Sequence, residues 1–210
     1  MSKFVLPMMG VGGASAAAAG GYMLLKENNH PQVQKEETFN SKYSKAILEE
    51  SSDLWESKFQ ALKESNSLKH PTLKKAKEKE AKDLHKQGCR EIYASPLNDS
   101  PYLEDFKTYC AKNIKDAMDK AKTWISQDES DTTHWNPKLK NLKEHDSNKN
   151  KTLSKGLEDL KASLSGVTGE AWTEDHRQKL KDWCDASQTE IFIGEGDSQF
   201  EHSKLYCLAN

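Results

Sequence analysis

The chain has 210 residues, 35% of them hydrophobic and 30% charged, with a mean hydropathy of −0.90. That length admits one or two small domains, and the polarity exceeds that of an average globular domain. Lys and Arg number 31 against 33 Asp and Glu, for a formal net charge of −2, so no strongly basic surface is available to bind nucleic acid by counterion release.

Residues 4–25, FVLPMMGVGGASAAAAGGYMLL, carry no ionisable side chain except Tyr22. As a helix rising about 1.5 Å per residue this segment reaches roughly 33 Å, enough to cross a hydrocarbon core of about 30 Å. A single transmembrane helix is expected. The apolar stretch runs on past Ala14-Ser15-Ala16, a pattern a signal peptidase would accept, to Met23-Leu24-Leu25. A retained signal-anchor is therefore favoured over a cleaved signal peptide, and secretion after cleavage is the alternative. Gly13, Ala17 and Gly21 fall at small-xxx-small spacing, a face through which anchors would oligomerise. The glycines of Met9–Gly13 lack the strand, helix and acidic residue that a dinucleotide loop needs.

The expected organisation is an anchor at 1–26, a polar linker at 27–41, a first helical lobe at 42–126 and a second at 127–210. Tyr43, Ile47, Leu54, Phe59 and Leu62 outline one apolar stripe. Leu73, Ala76 and Leu84 outline another, with Pro71 suited to a first helical position and Gly88 to a C-terminal cap. Leu103, Phe106, Cys110, Ile114, Ala117, Ala121 and Ile125 recur in steps of three and four, which predicts one helix over 101–125. Leu153, Leu157, Leu160 and Leu164 form a further stripe, and Thr173 can cap a helix carrying Leu180 and Trp183. Only Glu190–Ile193 reads as a strand. The fold class is mainly α.

Self-similarity is the most informative feature. Residues 55–67 and 135–147 share Trp-x-x-Lys-apolar-x-x-Leu-Lys-Glu-x-[Asn/Asp]-Ser at an offset of 80, and Leu73 and Leu84 recur as Leu153 and Leu164. The cysteines follow at offsets of 95 (Cys89, Cys184) and 97 (Cys110, Cys207), so about fifteen residues enter the second copy before Cys184. Each copy ends in Tyr-Cys, at Tyr109-Cys110 and Tyr206-Cys207. A duplicated helical unit follows, with Trp55, Leu62 and Tyr109 in one copy and Trp135, Leu142 and Tyr206 in the other as equivalent core anchors.

Four cysteines allow three disulfide pairings. The duplication selects Cys89–Cys110 and Cys184–Cys207, each closing a loop of about 22 residues worth roughly 3 kcal/mol in the chain-entropy model. Four buried free thiols are the alternative. Zinc would want closer ligand pairs than any here, although His85 lies four residues before Cys89. The seven histidines never pair at helical spacing, and no H-E-x-x-H, G-x-S-x-G or phosphate-loop pattern is present. No catalytic, cofactor or metal site is expected. The Lys-rich run 74–82 is interrupted by acids and reads as a solvated helix; anionic glycans or lipid are its functional alternative.

The chain resembles the large paralogous families of uncharacterised proteins of haemotropic mycoplasmas. The resemblance rests on the Gly/Ala-rich apolar start, the Trp55-to-Lys63 and Trp135 segments, Tyr109-Cys110 running into Asn113-Ile114-Lys115-Asp116, Leu180-Lys-Asp-Trp183-Cys184 and Tyr206-Cys207. Gly88-Cys89 departs from the Trp-Cys seen at Trp183-Cys184. The resemblance implies a surface protein that contacts a host-cell component or serves as a variable antigen, and it transfers no catalytic residue. The expected location is the cell membrane, single-pass, with the C-terminal part outside. Lys26, Lys35, Lys42 and Lys45 weigh against that orientation, while the position of the apolar segment and the paired cysteines favour it. A membrane-bound hydrolase or a structural partner of sibling membrane proteins are the competing functions.

Overall fold

Thr38 caps the first helix among the described residues. Its hydroxyl accepts from the Ser41 N–H while the Ser41 hydroxyl accepts from the Thr38 N–H, capping a short helix, Phe39–Lys42. In this computed structural model residues 36–209 are described. The apolar segment 4–25 and most of the expected linker lie outside them. Among the described residues no helix is long and apolar enough to cross a membrane. Phe39 is fully buried against Phe106, ring centroids 4.9 Å apart, so the first core begins inside the expected linker, before the boundary at residue 42.

The first half continues with helices Leu54–Glu64, Pro71–Glu78 and Lys82–Ala94. Pro71 takes the first helical position, as its fixed φ and missing N–H favour. Of the stripe from Tyr43 to Leu62 only Leu54, Phe59 and Leu62 lie on a helix; Tyr43 caps the preceding one and Ile47 makes a bridge to Ala111. The stripe of Leu73, Ala76 and Leu84 is split by a turn at Glu80, which adopts φ +49°. Gly88 does not cap a helix. It lies inside Lys82–Ala94 where that helix crosses Leu73, and a Cβ added there would sit 2.7 Å from Leu73 Cδ2.

The single helix expected over 101–125 does not form. Leu103–Asp105 runs into one wide π turn, Phe106–Cys110, and at Ala111 the backbone becomes extended. Ala111 pairs with Ile47, and the Lys112 N–H donates to the Ala46 carbonyl at 2.8 Å. A new short helix, Ile114–Ala117, starts from a reciprocal Asn113–Asp116 cap. The apolar spacing carries across this break because Ile114 and Ile125 are buried in different clusters.

The second half comprises Thr132–Lys143, Ser147–Asn150, Lys155–Ser165, Glu174–Thr189 and Ser198–Tyr206. Thr173 caps the fourth of these reciprocally with His176. Glu190–Ile193 is not a strand: Ile191 makes one bridge to Asn113 and no ladder. Cys184 sits within Glu174–Thr189 and does not end it. One core gathers Phe39, Trp55, Leu62, Leu73 and Phe106; a second gathers Trp135, Leu142, Leu157, Leu164 and Leu180. Ile114, Met118, Phe192, Phe200 and Leu208 fill a smaller cluster at the seam between the halves.

Contacts relate the halves more closely than the apolar pattern alone. Lys77 donates to the Ser65 carbonyl, as Lys161 donates to that of His145. The offset is thus 84 at these helices, between 80 at the tryptophans and 95 at the first cysteines. Extra residues enter both the 144–154 and the 166–173 connections. Leu84 therefore lies on the helix that corresponds to Glu174–Thr189, so its pairing with Leu164 at an offset of 80 is not structural. Trp183 occupies the place of Gly88 and faces Gly156, whose added Cβ would meet Trp183 Cδ1 at an ordinary 3.7 Å.

The two glycines should respond oppositely to a methyl group. Leu73 is fully buried and cannot swing away, so Gly88→Ala should destabilise the protein by about 1–2 kcal/mol despite alanine's better helix propensity. Gly156→Ala should be neutral or stabilising by up to about 1 kcal/mol. Urea unfolding with the disulfides intact measures both; equal effects would contradict this packing.

Candidate functional site

The cysteines pair within each half. Cys89 bonds Cys110 with Cα atoms 5.3 Å apart, and Cys184 bonds Cys207 at 5.5 Å. Both distances lie in the range a disulfide accepts without backbone movement. Each bond joins the middle of a long helix to the end of the next helical segment.

Most of the expected core anchors are buried beside these bonds. Trp55, Leu62, Trp135, Leu142 and Tyr206 are buried, whereas Tyr109 is only half-buried at the rim of the first core. The indoles are tied alike. Trp55 Nε1 donates to the Glu49 carbonyl at 2.8 Å, and Trp135 Nε1 donates to that of Asp128 at 3.0 Å. Each pins the loop that precedes its own helix.

His85 lies between the rings of Trp55 and Phe59. Its Nε2 donates to the Tyr109 carbonyl at 2.9 Å. Burial holds this imidazole below the ordinary histidine range, against the pull of that bond. Its ring comes within ligating reach of Cys89 and Cys110, but those sulfurs are bonded to each other, and a metal needs thiolate.

The match before each second cysteine is longer than Tyr-Cys. Glu104-x-x-Lys107-x-Tyr109-Cys110 repeats as Glu201-x-x-Lys204-x-Tyr206-Cys207. The lysine of each Trp-x-x-Lys is buried too, Lys58 at 6% exposure and Lys138 at 5%. Lys58 pairs with Asp116 at 2.8 Å. Lys138 lines a seam cavity of about 640 Å³ with Lys122, Lys204, Met118, Phe200 and Leu208. Burial, and then the Lys122 charge, hold its ammonium below the usual lysine range.

A second polar cluster was not signalled by sequence spacing. His145, His202 and Tyr206 come together in the second half, with the two imidazole centroids 5.4 Å apart. Burial lowers the His202 pKa, opposed by its bond to the Asn150 carbonyl, and raises that of the Tyr206 phenol to about 12. In the first half burial likewise lowers the His70 pKa, opposed by Glu91 and Asp105.

Comparison with protein-family models, curated proteins and solved structures finds no match.

Peptide mapping of oxidised protein should recover Cys89–Cys110 and Cys184–Cys207 alone, and Cys184→Ala/Cys207→Ala should cost roughly 3 kcal/mol; any cross-half disulfide would contradict the pairing. His70, His85 and His202 all sit below their unfolded value of about 6.5. Below that pH the unfolded chain binds more protons than the folded one, so their contribution is complete above about pH 6.5 and is lost on acidification. The urea midpoint should fall between about pH 7 and pH 5.5, and a midpoint that rises would contradict this assignment.

Proposed function

We propose that this chain is a membrane-tethered ectodomain that contacts a host-cell surface component or serves as a variable antigen. Residues 4–25 act as an uncleaved single-pass signal-anchor, and the chain beyond residue 27 faces the exterior. Its two halves are copies of one helical unit with one disulfide each. Sibling chains assemble through the Gly13, Ala17 and Gly21 face of the anchor.

One observation carries this reading: each half has its own disulfide, joining helices around a small core. Such bonds persist where the surroundings are oxidising and are rare in a reducing cytosol. A compact lobe of this size gains from the staple, because a small domain buries a smaller fraction of its surface. The corresponding indole contacts, the buried lysines and the Glu-x-x-Lys-x-Tyr-Cys match support a shared origin of the halves. The resemblance to the surface families of haemotropic mycoplasmas supports the same role.

Protease treatment of intact cells, followed by mass spectrometry of the released peptides, tests topology. Peptides from 42–210 should be released, and residues 4–25 should remain with the membrane. Release only after lysis would overturn the orientation. Pull-down of host-cell surface material by residues 27–210 against a disulfide-reduced control tests the interaction role.

A further inference from the structure

The connection between Thr132–Lys143 and Lys155–Ser165 is held by two buried imidazoles. His202 Nε2 donates to the Asn150 carbonyl at 2.9 Å, and His145 Nε2 donates to the Lys151 carbonyl at 2.8 Å. A carbonyl can only accept, so both Nε2 atoms carry the proton. His145 Nδ1 is then the acceptor for the Tyr206 hydroxyl at 2.6 Å. His145 is 5% exposed and His202 1%. The backbone they pin is strained: Lys151 has φ +65° and ψ +166°, a conformation native to glycine. Two consecutive carbonyls are thus clamped across a residue that would relax if released. The Lys151 ammonium adds a bond to the Gly196 carbonyl.

The corresponding connection in the first half is closed by different chemistry. Asp105 stands five residues before Cys110, as His202 stands five before Cys207. Its Oδ2 accepts from the N–H groups of Lys69 and His70 at 2.9 and 2.6 Å. A carboxylate, not an imidazole, closes this connection.

We propose that the 144–154 connection is an acid-opened clasp, released when the buried His202 takes up a proton, while the 65–70 connection stays closed. The bond from His202 Nε2 to the Asn150 carbonyl survives protonation. What is gained is a cation in a poorly solvated site, its ring centroid 5.4 Å from that of His145. The groups facing it do little to offset this. Lys161, on Lys155–Ser165, places its Nζ 2.5 Å from the His145 carbonyl, and Lys151 lies in the connection itself. Tyr206, on the helix of His202, is neutral. Asp197, which caps that helix, is the carboxylate acting on His202, and Asp146 is already paired with Lys149. By contrast, a proton on His70 meets Glu91 at 3.7 Å and the nearby Asp105. Opening lets both second-half rings reach water, relaxes Lys151 and uncovers Leu153, which is buried in the second core. The contrast between connections rests on the proposed correspondence of the halves; the clasp itself does not.

Hydrogen–deuterium exchange on the oxidised full chain in detergent, corrected for intrinsic rate, tests this at about pH 7.5 and about pH 5.5. Peptides over 144–154 should lose protection by roughly tenfold or more at the lower pH, and peptides over 64–71 should keep theirs. His202→Gln retains an amide donor without a titrating group and should abolish most of the acid response. Should that variant fail to fold, the imidazole proton resonances of the wild type give a second measure: that of His202 should titrate together with the exchange change. Unchanged protection of 144–154, simultaneous loss in both connections, or an acid response undiminished in His202→Gln would each overturn the clasp. Purified chain is used throughout, so the outcome is independent of where the protein resides.

Discussion

The end of the helix at Cys110 is the constraint from which the arrangement of the halves follows. Its sulfur is bonded to Cys89 and its carbonyl accepts from the Tyr93 hydroxyl at 2.5 Å, so side chain and backbone are both tied to helix Lys82–Ala94 where the chain turns extended. Cys110 is the last residue of the π turn Phe106–Cys110. The chain then leaves the first core extended and is held by the second half. The Ile114 N–H donates to the Glu190 carbonyl at 2.8 Å, and the Phe192 N–H donates to that of Lys112 at 3.0 Å. Further on, the Ile125 N–H donates to the Cys207 carbonyl at 2.9 Å. The same segment that ends the first disulfide loop thus reaches the end of the second, and the seam cluster around Met118 and Phe200 lies between these crossings.

A chain that is 30% charged would appear poorly suited to burying helix ends. The structure answers with its lysines. Backbone carbonyls at helix ends have no intrahelical partner, and here long cationic side chains reach several of those near the ends. Lys143 donates to the Val167 carbonyl at 2.6 Å, and Lys161 to that of His145. Arg177 donates to the carbonyls of Glu129 and Trp172, tying two loops to the Cys184 helix. The stems of such side chains cover apolar surface while their heads take polar partners. Part of the charge that makes the sequence look loosely folded therefore works as connection.

Those features that depend on one local signal were legible in the sequence. Pro71 and Thr173 start helices because their chemistry acts on the adjacent backbone alone. The cysteine pairing was legible because spacing and order repeat. Features that depend on two possible partners were not. Gly88 has the residue type of a helix cap, yet its missing Cβ serves close passage over Leu73, which no local pattern distinguishes. The stripe from Leu103 to Ile125 keeps helical spacing across a break, because the buried residues on either side face different clusters. A capping signal, Asn113-x-x-Asp116, lay within that stripe and marked the new start. Phe39 stood in a polar stretch with no periodicity to reveal its burial, and the approach of His145 to His202 spans 57 positions that only the fold brings together.

Each half has one disulfide and one indole bonded to a carbonyl, but their connections are closed by different chemistry. The first half passes Gly88 close over Leu73, and the second sets Trp183 beside Gly156 at an ordinary contact distance. Where the first closes its connection with Asp105 accepting two N–H groups, the second closes it with imidazoles donating to two carbonyls. Donor and acceptor are reversed, yet the loop is held from the same place relative to the disulfide. The retained contacts are of another kind. A disulfide fixes two helices, and an indole bonded to a carbonyl fixes the entry of a third, and neither has a substitute of similar reach among the ordinary side chains. Contacts that space and hydrogen bonding can satisfy in several ways differ between halves; those that only one residue type can make are the same in both. A scaffold built on that division can hold its fold through four cysteines and two tryptophans while the polar faces of its helices change.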